Sequence, residues 1–104
     1  MKNTHQVKVE FAKAKKQADN IDALAGKIEK NRGKLSDCKL NLSGYWDGEN
    51  SFVYRRKMGD REKELDSIIL RLRTIAETIR QVAKTSYEAE MKAIKIAQER
   101  TCKK

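Results

Sequence analysis

The fold of this chain is decided by one stretch near its middle, Asn41-Leu42-Ser43-Gly44-Tyr45-Trp46-Asp47-Gly48-Glu49-Asn50-Ser51. The stretch holds the only tryptophan of the 104 residues, two of the five glycines and a cluster of polar residues. Glycine tolerates positive φ, and Asn, Asp and Ser form local side-chain turns, so the backbone can reverse here. We therefore predict a helix–turn–helix hairpin whose elbow motif is Trp46 and Gly48.

Helical periodicity extends on both sides of this stretch, and the chain contains no proline. Apolar residues recur at spacings of three and four, as on one face of a helix. The pattern predicts an all-α domain with helix 1 over about residues 10–41, an elbow over 42–49 and helix 2 over about 50–100. Val7 and Val9 alternate with polar residues, which favours an extended segment before helix 1.

The apolar face of helix 2 is wider than one partner helix covers. A row of apolar residues recurs every seven positions at Ile69, Ala76 and Ala83. This row lies beside the stripe of residues that recur at spacings of three and four. A helix packed on one side buries a single strip, and two helices alone bury too little to offset the ordering of the chain. We therefore predict that the hairpin dimerises into an elongated four-helix bundle. The predicted core and dimer face comprises Phe11, Ala14, Ala18, Ile21, Ile28, Leu35, Leu65, Ile68, Ile69, Leu72, Ile75, Ala76, Ile79 and Val82.

The tripeptide Trp46-Asp47-Gly48, centred between two amphipathic helices, resembles the W-x-G motif of the WXG family. These are small ESX-like helical hairpins of type VII secretion systems in Gram-positive bacteria. Tyr54, eight positions after Trp46, and the segment 76–91 are also similar to members of that family. The resemblance implies a secreted or secretion-targeting protein, cytoplasmic before export and afterwards secreted or associated with the cell surface.

The same resemblance implies partners and an export element. The partners would be a second copy or a related hairpin, and also a larger secreted effector and the secretion ATPase. Family members carry a Tyr-x-x-x-Asp/Glu signal past the paired part of the second helix. Here Tyr87 is followed by Glu90 at three positions rather than four. Either a relaxed form of the signal works, or a dimer partner supplies the signal, and the alternative is that Tyr87 is a surface aromatic without this role. Pairing Val7 with Val82 across the elbow leaves the residues after Thr85 without a partner helix, where such an element would be accessible.

Catalytic and metal chemistry find little support in the sequence. The only histidine, His5, stands near the N-terminus, so no Ser/His/Asp or Cys/His relay is recognisable. Cys38 and Cys102 lie far apart in a hairpin, which favours free thiols. Glu62, Glu64 and Asp66 alternate with basic residues, which is typical of a solvated face. We expect no enzyme activity, no metal and no cofactor.

The charge of the chain leaves further partners open. A net charge of +9, from 24 basic and 15 acidic residues, favours a soluble protein with acidic partners. No stretch is long and apolar enough to span a membrane, and the N-terminal residues lack the apolar region of a conventional signal peptide. The sequence disfavours nucleic acid as a partner, since the usual reading devices are absent. Two alternatives remain: a generic basic coiled-coil adaptor and a nucleic-acid-associated dimer.

Overall fold

The computed structural model describes residues 2–45 and 48–102 and consists of two long helices packed against each other. Helix α1 is Thr4–Tyr45 and helix α2 is Glu49–Cys102. The described residues contain no strand. The predicted all-α helical hairpin is therefore confirmed.

Helix α1 begins at Thr4, so the predicted extended segment and the predicted start near residue 10 are wrong. Asn3 and Gln6 form a reciprocal cap at this end. The Gln6 amide donates to Asn3 Oδ1 at 2.8 Å, and the Asn3 amide donates to Gln6 Oε1 at 3.0 Å. Two amides that would otherwise lack a partner are thereby bonded, which stabilises the first helical turn.

The connection between the helices is shorter than the predicted elbow of residues 42–49. Helix α1 continues to Tyr45, and half-buried Leu42 keeps packing past the predicted helix end. Gly48 has a φ of 115°, which L side chains rarely adopt, and its carbonyl accepts the first amide bond of α2 from Phe52 at 3.1 Å. Gly48 therefore caps α2. Trp46, the other residue of the predicted elbow motif, lies outside the described residues, as does Asp47.

The contacts of the chain divide it into two compact units, each built from both helices. The terminal unit comprises Met1–Ile21 and Ile75–Lys104, and the elbow unit comprises Asp22–Thr74. In the terminal unit the buried apolar residues are Val7, Ala18 and Ala76; in the elbow unit they are Ala25 and Ile69. Three of these five are alanines, whose small side chains allow two helices to approach closely.

The residues of the predicted core and dimer face differ in burial. Ala18, Ile69 and Ala76 are buried, whereas Ile68, Ile75 and Val82 remain exposed. On α2, the row that contains Ile69 and Ala76 is thus buried. The neighbouring row of Ile68, Ile75 and Val82 faces solvent. The remaining residues of that face are half-buried: Phe11, Ala14, Ile21, Ile28, Leu35, Leu65, Leu72 and Ile79.

Candidate functional site

An apolar groove runs between α1 and α2 in the terminal unit, with a volume of about 350 Å³. Val7, Phe11 and Ala14 line it from α1. The apolar lining from α2 is Ile79, Val82 and Ala83. Because Val82 is 63% exposed, the groove offers apolar surface that the hairpin itself does not cover.

Tyr87 and Glu90, the candidate export element, both contact the start of the chain. The Tyr87 ring lies against Phe11 with centroids 4.7 Å apart, and Lys2 Nζ donates to Glu90 Oε1 at 3.2 Å. The prediction that the segment after Thr85 has no partner helix is therefore wrong. The pairing is shifted because α1 continues past its predicted end to Tyr45, so the reversal lies further along the chain.

Lys2 also joins the two helices electrostatically. Its ammonium lies 2.6 Å from Glu10 Oε2 in addition to its contact with Glu90. The hydrogen bonds to Glu10 and Glu90 raise the pKa of Lys2 above its ordinary value, because they favour the charged ammonium. A second cross-helix ion pair in this unit joins Arg80 and Asp19 at 2.9 Å. Such exposed pairs contribute little stability individually, because solvent and salt screen them.

A charge cluster around Glu62 occupies the interface of the elbow unit. The Ser36 hydroxyl donates to Glu62 Oε2 at 3.1 Å, and Lys39 Nζ lies 3.3 Å from Oε1. Arg32 Nη2 lies 3.4 Å from Glu62 Oε2, and the Arg32 guanidinium also donates to both Asp66 oxygens, at 2.9 and 3.3 Å. Three residues of α1 therefore hold one carboxylate of α2.

The ionised form of Glu62 is favoured despite its burial. Burial by itself raises the pKa of this carboxyl, but the hydrogen bonds from Lys39 and Ser36 and the charges of Lys39 and Arg32 outweigh it. The pKa of Glu62 consequently lies below its ordinary value. The prediction that Glu62 belongs to a solvated face is wrong. Its position seven residues before Ile69 is the sequence signal that places it in the buried row.

The remaining candidate residues form no assembled chemical site in the described part of the chain. No group of three His, Cys, Asp or Glu side chains there is arranged to hold a metal ion. His5 is exposed on the first turn of α1, and Cys38 is an exposed free thiol, while the side chain of Cys102 lies outside the described residues. None of the described helices has the length and apolarity needed to cross a bilayer.

Comparisons of the chain with protein-family models, with curated proteins and with solved structures give no match.

Proposed function

We propose that this chain is a protein-recognition hairpin that performs no reaction of its own. More specifically, we propose a small ESX-like protein of a Gram-positive type VII secretion system. The observation that carries the proposal is the position of Trp46, Asp47 and Gly48 between the end of α1 and the start of α2. In the sequence, the W-x-G motif thus falls between the two helices of a proline-free hairpin, which supports the resemblance to the WXG family.

Association with a second hairpin is supported by apolar surface that the single chain leaves uncovered. Ile68, Ile75 and Val82 are exposed, and the groove of the terminal unit is lined mainly by apolar side chains. Covering such surface is the main driving force of helix association in water. The partner is a second copy or a related hairpin, which would complete a four-helix bundle. A larger effector is the second kind of partner.

In this proposal Tyr87 and Glu90 form the element that the export machinery reads. Glu90 follows Tyr87 at three positions, so both side chains lie on neighbouring parts of one helical face. The chain would reside in the cytoplasm until the secretion ATPase engages it. After export it would be secreted or remain at the cell surface.

The test is export from a strain that contains an intact secretion ATPase. We expect full-length protein in the culture medium, and retention of folded Trp46→Ala and Tyr87→Ala variants in the cells. Glu88→Ala is the control, because Glu88 is an exposed side chain next to Tyr87 on the same helix, and it should be exported normally. Light scattering and circular dichroism establish that each variant has the oligomeric state and helicity of the wild type.

Retention of the wild-type protein with the ATPase intact would rule out the export hypothesis. A generic coiled-coil adaptor and a nucleic-acid-associated dimer both predict that retention. A DNA-binding assay separates these two alternatives. Only the nucleic-acid-associated dimer should bind DNA, with an affinity that falls steeply as salt is added.

A further inference from the structure

The elbow unit carries a second exposed apolar surface, distinct from the groove of the terminal unit. Phe52, Val53 and Tyr54, in the first turns of α2, are 61%, 45% and 54% exposed. We call these three residues the elbow patch. Large apolar side chains that are exposed together are typical of a surface that meets a partner.

The geometry of the patch disfavours a partner helix as its occupant. Successive residues of an α-helix are separated by about 100°, so Phe52, Val53 and Tyr54 together cover about 200° of the circumference of α2. A packed helix covers a strip only about half as wide. A fluid layer, in contrast, can surround the end of a helix and cover all three side chains.

The charges beside the patch define the chemistry of that layer. Arg55, Arg56 and Lys57 follow Tyr54 directly, and the nearest acidic residues in the sequence are Glu49 and Asp60. Arg56 and Lys57 are exposed, and neither forms an ion pair within the described residues. Residues 22–74 as a whole carry twelve basic and nine acidic side chains, so the cationic run stands in a unit that is itself basic.

We propose that the elbow patch, with Arg56 and Lys57, docks on an anionic lipid surface. Aromatic rings partition to the headgroup level of bilayers, and adjacent Lys and Arg side chains are attracted to anionic headgroups. The contact is peripheral, with apolar side chains entering the interface while the helices stay outside the hydrocarbon core. The proposal does not depend on secretion, because it concerns only the purified chain and a lipid surface.

Co-sedimentation with vesicles tests this proposal. The probes are vesicles of phosphatidylcholine alone and vesicles of phosphatidylcholine with one third phosphatidylserine. We expect binding to the second kind only. Arg56→Gln with Lys57→Gln should lower the partition coefficient about twenty-five-fold, since each basic residue near such a surface contributes about fivefold. Phe52→Ser should lower it about tenfold through lost apolar burial.

Two matched variants control for loss of charge and of apolar surface. Lys27→Gln with Lys30→Gln removes two exposed cations of the same unit, and Leu70→Ser removes an apolar side chain that is 68% exposed. Both should bind within about twofold of the wild type if the binding is local to the patch. Circular dichroism must show unchanged helicity for every variant.

Several results would overturn the proposal. These are the absence of binding to the phosphatidylserine vesicles, equal binding to phosphatidylcholine alone, or equal losses in the control variants. If Phe52→Ser converts a dimer into a monomer without lipid, the patch is a protein interface instead. If Arg56 and Lys57 are needed for binding duplex DNA while Phe52 is not, the cationic run binds nucleic acid instead.

Discussion

Phe11 of α1 and Tyr87 of α2 lie ring against ring, with centroids 4.7 Å apart and planes inclined by 33°. Lys15 adds a cation above the Phe11 ring, 5.4 Å from its centroid. Such a tilted pair combines apolar burial with a favourable aromatic geometry. This contact joins the first turns of α1 to the region of α2 expected to extend beyond the hairpin.

Replacing Phe11 should therefore destabilise the protein measurably. We expect Phe11→Ala to lower the free energy of unfolding by about 2 kcal/mol, because a half-buried ring and its aromatic partner are lost. Phe52→Ala is the control, since Phe52 is exposed, and it should change stability by less than about 0.5 kcal/mol. Urea unfolding followed by circular dichroism measures both. Equal effects would contradict the observed pairing.

Val7 and Val9 distinguish a helical from an extended N-terminal segment. Side chains two positions apart in the sequence point to the same side of a strand, whereas on a helix their directions differ by about 160°. Val7 is buried and Val9 exposed, as a helix requires. Val7→Ala should cost about 2 kcal/mol of unfolding free energy and Val9→Ala less than about 0.5 kcal/mol. Similar losses in both variants would argue for the extended conformation.

Gly48 and Gly33 should respond in opposite directions to the same substitution. Gly48→Ala places a Cβ on a residue with a φ of 115° and should destabilise the protein by about 1–2 kcal/mol. Gly33 lies inside α1, and apart from its chain neighbours and the backbone of its own helix no described atom lies within 4 Å of the position that a Cβ would occupy. Gly33→Ala should therefore stabilise the protein by about 0.5–1 kcal/mol. Thermal unfolding of the two variants measures the difference. A stabilising effect at position 48 would contradict the observed turn.

The lowered pKa of Glu62 predicts a loss of stability in acid. A carboxyl whose folded pKa is depressed stabilises the fold above its unfolded pKa, which is ordinarily 4.5, and that contribution disappears as pH falls through the folded pKa. Urea midpoints of the wild type should therefore fall between about pH 6 and about pH 3. Glu62→Gln should be less stable than the wild type at neutral pH and depend less on pH.

Glu64→Gln is the control for that experiment. Glu64 is exposed, and among the described residues it forms an ion pair only with Arg61 of its own helix, at 2.9 Å. It should keep the neutral stability of the wild type and its acid dependence. If Glu62→Gln and Glu64→Gln have the same pH profile, the cluster around Glu62 does not stabilise the interface.

The sequence contains enough information for the fold class but not for the helix register. Three–four periodicity without proline, interrupted once by glycines and polar residues, predicts the hairpin. The alternation of Val7, Val9 and Phe11 favours an extended start, whereas Asn3 and Gln6 favour a helix cap. Such local signals compete at a helix end, and the tertiary packing of Val7 decides between them.

The surroundings of the candidate site residues are harder to predict than the fold class, because they depend on the helix register. The pairing predicted across the elbow differs from the observed register, so it leaves Tyr87 and Glu90 on a segment without a partner helix. Charged residues rarely occupy a helix interface, and the pattern around Glu62 therefore predicts exposure to solvent. Only the cross-helix partners Ser36, Lys39 and Arg32 make its burial possible, and a pattern within one helix does not reveal them.

The cluster around Glu62 also constrains the length of the first part of α2. Adding or removing one residue inside the helix between Glu49 and Glu62 would turn the residues before that point by about 100° relative to Glu62. Glu62 could then stay opposite Ser36 and Lys39 only if the start of α2 rotated away from α1. Insertions and deletions in this part of α2 should therefore be tolerated poorly, although most of its side chains are exposed to solvent.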